Sequence, residues 1–365
     1  MNFRAFIIVL LFLGSVISFS QDNTIAPKYS NEFLAIGIGG RAAGMGNSVI
    51  STTNDVTSCY WNPAGITRIS NNLQIGAMHT EYFAGIGKFD FISGVARLSD
   101  SAAFGVSVIR FGVDDIPNTL DLVDSEGNID YSRIKSFSVA DYAFLFSYAQ
   151  KSKIEGLRYG ANVKIIRRKV GEFAGAWGFG LDAGAQYDYN KWKFGATFRD
   201  VTSTFNAWNF NTETFEETFI MTGNEIPVNS LEVTLPKLLI GVSRIFMISE
   251  KFDLLAEIGL DISTDGKRNV LIKGDPLSGD PHAGLELDYM KIAYLRIGTM
   301  NFQEVPDLDK TEFTFQPSIG LGVQLFNRLT IDYAFTDISD QSIALYSHVI
   351  SLSYSIDKLK SVVHE

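Results

Sequence analysis

The stretch "EFTFQPSIGLGVQL", residues 312–325, alternates without a break. Phe313, Phe315, Ile319, Leu321, Val323 and Leu325 share one parity, and Glu312, Thr314, Gln316, Ser318, Gly320, Gly322 and Gln324 share the other. A period of two is the mark of a β-strand with one apolar face and one small or polar face. Residues 175–188 repeat it, setting Trp177, Phe179, Leu181 and Tyr187 against Gly178, Gly180, Asp182 and Asp188; residues 252–261 and 328–336 do the same.

Such strands suit either a soluble sandwich or a membrane barrel, and length separates the two. The alternating runs are about ten to fourteen residues, enough for a tilted strand to cross a bilayer, whereas sandwich strands have about five or six. Candidate strands are 73–83, 87–98, 102–112, 137–150, 156–169, 175–189, 191–199, 237–248, 251–262, 282–290, 291–301, 312–325, 328–336 and 345–356. Fourteen is an even number, as single-chain bacterial barrels require. The links alternate as well. Short ones fall at 99–101, 151–155, 190, 249–250, the 290/291 junction and 326–327; long ones fall at 113–136, 200–236, 263–281, 302–311 and 337–344, with modest ones near 84 and 170. A membrane barrel has this asymmetry because its periplasmic turns are short and its external loops are long. The expected fold is therefore all-β, a transmembrane antiparallel β-barrel of about 14 strands. "YDYNKWKF", residues 187–194, places aromatics around one tight turn, where an interfacial girdle belongs.

The chain begins "MNFRAFIIVLLFLGSVISFSQ", one early charge at Arg4 before an apolar run and then small or polar residues. That layout predicts a secretory signal peptide over 1–20, too short in its apolar part to span a membrane. The expected organisation is then 21–70 as an N-terminal segment and 71–365 as the barrel. Cys59 is the only cysteine, so no intramolecular disulfide can form. His79, His282, His348 and His364 lie far apart, none with a metal-ligand neighbour at the usual spacing, and neither a metal nor a cofactor is expected. The formal net charge of −10, without a basic stripe, argues against nucleic acid.

Before the first strand lie "GIGGRAAGMGN", residues 37–47, and "WNPAGI", residues 61–66. The first looks like a phosphate-cradling loop. Ala42 stands where a dinucleotide fingerprint needs its third glycine, and Met45 and Gly46 stand where a P-loop needs lysine and Ser/Thr. Neither phosphate chemistry is supported. A segment so rich in small residues can instead pack inside a barrel, since glycine and alanine let backbones approach closely.

Residues 33–66, "FLAIGIGGRAAGMGNSVISTTNDVTSCYWNPAGI", closely resemble the N-terminal signature of the PorV/PorQ family, Bacteroidetes outer-membrane barrels related to the FadL fatty-acid transporters. Residues 332–356, "DYAFTDISDQSIALYSHVISLSYSI", resemble that family's closing hairpin. The chain departs from the usual pattern at Gly40, where alanine is common, and at Asn47, where glycine is common. The resemblance implies a fourteen-stranded barrel in a Gram-negative outer membrane, with a hatch or plug inside the lumen. The hatch motif maps to Gly37, Gly39, Gly40, Arg41, Gly44, Met45, Gly46, Trp61, Asn62, Pro63, Ala64 and Gly65, in a purely structural or a gating role.

By the same resemblance the protein has no catalytic centre and serves the type IX secretion system. PorV-like members associate with a very large translocon barrel and pass secreted cargo, marked by a C-terminal signal domain, to the surface attachment machinery; PorQ-like members act in the attachment complex. The expected partners are that translocon barrel, cargo proteins and outer-membrane lipid. Loops 113–136 and 200–236 are the expected contact surface. In the second, Phe205, Trp208, Phe210, Phe215 and Phe219 form either a binding face or a fold over the barrel mouth. Acids on the polar parity, among them Asp182, Asp253, Glu257 and Asp261, are expected to pair with Arg41 and Arg68. Two other classes remain. A FadL-type transporter of hydrophobic solutes would need a wall break, for which Pro317 is the candidate, a bulge being the alternative. A lipid-modifying enzyme would need a Ser/His/acid arrangement, which spacing does not locate.

Overall fold

The computed structural model describes residues 30–82, 85–123, 127–307, 310–338 and 347–357. The expected signal peptide, 1–20, and most of the link 337–344 lie outside the described residues. The alternating segments fold as β1 (Leu73–Tyr82), β2 (Gly87–Arg97), β3 (Ala102–Asn118), β4 (Lys135–Lys151), β5 (Leu157–Val170), β6 (Ala174–Tyr189), β7 (Trp192–Arg199), β8 (Thr204–Phe210), β9 (Ser230–Thr234), β10 (Lys237–Met247), β11 (Phe252–Ser263), β12 (Ser278–Tyr289), β13 (Ala293–Asp307), β14 (Lys310–Leu325), β15 (Leu329–Thr336) and β16 (Ser347–Ile356). All pairings are antiparallel, and β1 meets β16 with Leu73 opposite Ile356, which closes the sheet. β8 pairs with Ala174–Phe179 of β6 and β9 pairs with β8, while β7 joins the rest of β6 to β10. The closed wall thus has fourteen strands, with β8 and β9 as a hairpin standing above β7 at its outer end.

Parity decides what each face meets. Ile92, Trp177, Ile258, Leu321 and Leu352 are exposed on the outside, while Ser147, Lys164, Glu257 and Asp332 on the other parity are buried. An apolar outer face and a polar inner one are what a bilayer-spanning barrel requires. No helix among the described residues is long and apolar enough to cross a membrane. The turns at the end carrying Leu73 and Ile356 are tight. Asn190, Met290, Lys291, Phe326 and Asn327 take positive φ there, the backbone that lets a two-residue hairpin follow the strand twist.

The opposite end differs from the sequence expectation. β3 and β4 run on to Asn118 and back from Lys135, and β13 and β14 continue to Asp307 and from Lys310, so links 113–136 and 302–311 are partly ladder. Register shifts at Val113/Ile116 and Met300/Gln303 insert bulges that reset the parity, and beyond the bilayer no face need be apolar. Both effects erase the period-two signal. β12 begins at Ser278 rather than at residue 282, carrying Pro281 opposite Leu260.

Residues 30–70 lie within the closed wall. A short helix, Gly40–Gly44, packs against β13 to β16, and the 3-10 helix Pro63–Arg68 packs against β3 to β6. Their apolar side chains, including Ile38, Met45, Ile50, Val56, Trp61 and Ile66, form one buried cluster with inward residues of the wall such as Phe89, Phe91, Leu145 and Leu239.

Candidate functional site

The glycine-rich segment meets the wall backbone to backbone. A Cβ on Gly44 would lie 2.8 Å from the Gly320 Cα, and Gly46, at φ +58, would put one 2.5 Å from the Thr299 nitrogen. Only glycine meets the demands at either place. Met45, wholly buried, fills the space between them. Arg41 and the following turns reach the acids of β11 and β12. Arg41 Nε and a terminal nitrogen donate to the two Glu286 oxygens at 2.9 and 3.1 Å. Arg296, 2% exposed, donates to Glu286 at 2.6 Å and to Asp332 at 2.7 Å. The Ser51 N–H and the Thr52 hydroxyl donate to the Glu257 carboxylate at 2.7 and 2.6 Å.

The second half of the motif caps and anchors. Trp61 Nε1 donates to the Ile38 carbonyl at 2.8 Å, tying residues 61–65 to 37–46. Asn62 accepts from Ala64 N at 3.2 Å, which starts the 3-10 helix ahead of Pro63, and its amide donates to Ile50, Ala185 and Ala196 carbonyls. Asparagine before proline at a helix start supplies the cap and a preset dihedral together. Gly65 touches Thr53 and Ser58, where a side chain would collide. At the tight-turn end, Arg68 donates to Gln186 and Asp188, each at 2.7 Å. The segment's arginines therefore pair with wall acids, as their types required, yet the partners are Glu286 and Asp188. Asp182 instead meets Lys164 at 3.0 Å, and Asp261 meets His282.

The structure brings together one chain of groups that spacing did not suggest. Ser48 Oγ lies 2.7 Å from His282 Nδ1, and His282 Nε2 lies 3.3 Å from Asp261. Residue types and order match a hydrolytic triad. Ser48 has no exposed surface, however, so no substrate reaches its hydroxyl. His79 meets Asp90 at 2.7 Å and His348 meets Tyr333 at 2.7 Å, both on the outer face. Among the described residues no three His, Cys, Asp or Glu side chains come together as metal ligands.

At the external end, loops 113–136 and 200–236 converge. Trp208, Phe210, Phe215 and Phe219 join Phe137, Phe173, Leu120 and Leu231 around an open cleft of about 670 Å³. Phe215, 6% exposed, packs at a tilt against Phe219 at 4.8 Å between ring centres, and the helix Glu216–Thr222 carries the latter. Glu232, on the cleft wall, accepts from Trp208 Nε1 at 2.7 Å. Phe205 does not take part: it sits on the other face of β8, exposed, beside Phe179. Nearby, Arg268 donates to Asp265 and to Glu32, tying the start of the inner segment to loop residues 264–277. Burial alone would raise the Asp265 carboxyl, but the Arg268 hydrogen bonds and charge hold it below the usual range.

Pro317 stands opposite Thr299 in β13, and its carbonyl accepts from Asp337 N at 2.8 Å. The β14–β15 ladder starts one residue later, at Ser318. Its missing donor thus falls where β14 and β15 part, a position that proline tolerates.

The family model described as Type IX secretion system protein PorV matches residues 19–227. No curated protein matches the chain in sequence. Similar solved structures include the CymD monoaromatic hydrocarbon channel, 14% identical with a TM-score of 0.56 over 88% of this chain and 98% of that one. The toluene transporter TodX of Pseudomonas putida is 13% identical, TM-score 0.55, covering 88% and 98%. A FadL homologue of Pseudomonas aeruginosa is 13% identical, TM-score 0.50, covering 86% and 97%. At these identities the likeness is one of fold, a FadL-like barrel.

Proposed function

Since the chain belongs to the PorV family of type IX secretion system proteins, we propose that it is a non-catalytic docking barrel of that system. In this reading it binds the C-terminal signal domains of cargo, the large translocon barrel, or both, and hands cargo to the surface attachment complex. The observation that carries it is the division of the molecule: residues 30–70 fill the inside of the wall, while the two longest external loops build one aromatic cleft of about 670 Å³. A filled interior favours docking over conduction, and exposed aromatics in a concave site favour a protein or apolar partner. Residues 37–46 and 61–65 act as a hatch that keeps the interior closed. The buried Ser48 hydroxyl supports the absence of hydrolytic chemistry.

A second reading, transport of small hydrophobic solutes, is favoured by the apolar lining of the cleft and by the fold of the solved neighbours; a lateral exit beside Pro317 belongs to it. A PorQ-like place in the attachment complex is a variant of the first reading. The test is extraction of the C-terminally tagged protein from native outer membrane in mild detergent, with mass spectrometry of everything that co-purifies. A giant barrel or several proteins sharing a C-terminal domain supports docking. Apolar small molecules with no protein partner overturn it in favour of transport.

A further inference from the structure

One arginine of the lipid-facing wall has no partner within the described protein. On β10 the even-numbered residues face outward, and Arg244 is one of them, in register with Trp192 of β7 on one side and Ala256 of β11 on the other. A strand tilted about 40° gains roughly 2.5 Å of height per residue, so Arg244 stands roughly 8 Å above Met247, where β10 ends. Trp192 is the first residue of β7 after the tight turn at 190 and 191. This level carries an aromatic girdle: the Tyr187 and Phe194 rings lie 6.5 Å apart, and those of Phe252 and Tyr289 lie 4.9 Å apart.

The girdle holds the guanidinium. Arg244 Cζ lies 5.0 Å from the Trp192 ring centre and 5.1 Å from that of Phe246, and these rings are 40% and 43% exposed. Its Nε is buried without an acceptor, and among the described residues no hydrogen bond or ion pair engages the guanidinium. The other lipid-facing arginines differ. Arg110 reaches Asp90 at 3.4 Å, and Arg167, stacked on Trp177 at 5.1 Å, donates to the Ala176 carbonyl at 3.2 Å. No acid adjoins Arg244 on its own face, where Val242, Phe246, Phe194 and Leu254 take the next outward positions. A charge facing lipid is costly, less so toward the interface, and this one has to be met by an anion from outside the protein. Rings stacked on a guanidinium fix its plane, and a fixed fork of donors suits the bidentate oxygens of a phosphate.

We propose that Arg244, held between Trp192 and Phe246, binds the phosphate of a glycerophospholipid in the periplasmic leaflet, whose acyl chains lie along the apolar wall of β7, β10 and β11. The leaflet follows from the short turns, which mark the periplasmic end of such barrels. Lys191, exposed in the turn ahead of Trp192, adds a second cation at head-group level. The inference needs the barrel to lie in an outer membrane and is independent of the docking function.

The experiment uses the full chain, folded in mild detergent and mixed with equal amounts of dioleoylphosphatidylglycerol and dioleoylglycerol, which share their acyl chains and differ in the phosphate. Native mass spectrometry reads which lipid stays bound. The phospholipid should exceed the diacylglycerol at least tenfold on the native protein. Arg244→Gln should lose at least tenfold of the occupancy of the tightest-held phospholipid while keeping the folded barrel's heat-sensitive gel mobility. Lys291→Gln, which removes a charge from another tight turn at the same rim, should leave that occupancy unchanged. Trp192→Leu keeps the charge but removes the plane that orients it, and should lower occupancy at least threefold; it decides the matter where the glutamine variant does not fold. Equal retention of the two lipids by the native protein would overturn the inference, as would unchanged occupancy in the Arg244 and Trp192 variants. Displacement of the lipid by excess inorganic phosphate would overturn it too, because the site would then select the free ion.

Discussion

In the hatch reading Glu286 is the charge that joins the inner segment to the wall. Its carboxylate takes both Arg41 donors from the inner segment and one Arg296 donor from the wall. In Glu286→Gln the side chain keeps its shape, but the charge that compensates two buried guanidiniums is gone. Arg296 retains Asp332 at 2.7 Å, whereas Arg41 is left with the uncharged glutamine oxygen and the Thr52 hydroxyl at 3.5 Å. Removing one partner of a buried ion pair costs about 3–5 kcal/mol. If about 3 kcal/mol of it falls on the attachment of the segment, its detached population rises roughly a hundredfold, since 1.4 kcal/mol is a factor of ten. Hydrogen exchange on the detergent-folded barrel reads this directly. Peptides within 40–53 should exchange about two orders of magnitude faster than in the native protein, while peptides within 312–325 stay unchanged. A change below threefold in 40–53, with the barrel folded, would refute the reasoning that Glu286 holds the segment in place.

Gly44→Val places methyls against the Gly320 backbone, an overpacking expected to cost about 1–3 kcal/mol; thermal unfolding followed by gel mobility checks it. Trp208→Ala with Phe219→Ala should abolish partner co-purification without lowering that thermal midpoint, because both side chains line a cleft outside the wall. Cys59, fully buried where the segment meets Ser93 and Gly105 of the wall, should resist a water-soluble maleimide in the native barrel and react within minutes once the protein is unfolded in urea; fast labelling of the folded form would mean an open interior. Asp265, held below its ordinary range, stabilises its contact fully above the unfolded carboxylate value of about 4 and loses that contribution as pH falls through its folded value. Asp265→Asn should therefore speed exchange in residues 30–34 at pH 7 and make no difference under acid conditions where the native carboxyl is already protonated.

The barrel was legible because lipid enforces a strict parity over a length that few soluble strands reach. That enforcement ends at the membrane surface, which is why β8 and β9 and the outer parts of β3 and β13 escaped. Beyond a bulge the count starts again, and no solvent penalty marks which face is which. Arg41 and Arg68 announced that acids must lie near them, since an inner segment with unpaired arginines would not stay buried. Their partners were illegible for a geometric reason: Glu286 is 245 residues from Arg41, and the rotation of the segment against a round wall leaves no trace in local pattern. Phe205 is a different case. In "TFNAWNF", residues 204–210, it has odd parity while Trp208 and Phe210 have even parity, so recognising β8 would have removed it from the cleft.

The glycines give the two halves of the molecule a common explanation. The Gly39 and Gly40 N–H groups, which a phosphate loop would leave free, are given to Met78 Sδ and Ser351 Oγ, both at 2.9 Å. The wall answers with glycines of its own on the inward parity. Gly160 and Gly184 lie against Pro63, Gly195 and Gly241 against Ile50, Gly284 against Met45, Gly298 against Gly46 and Gly320 against Gly44. A water-filled pore has no need of so many inward residues without side chains. A wall that must admit a second backbone does, and each of these glycines marks a place where the segment touches it. Gly184 and Gly320 thus form part of a track left for residues 44–63, so Gly184→Ser should disturb the segment more than Ala185→Ser, whose side chain faces outward. Equal exchange rates in 61–68 for the two variants would show that the track does not hold the segment.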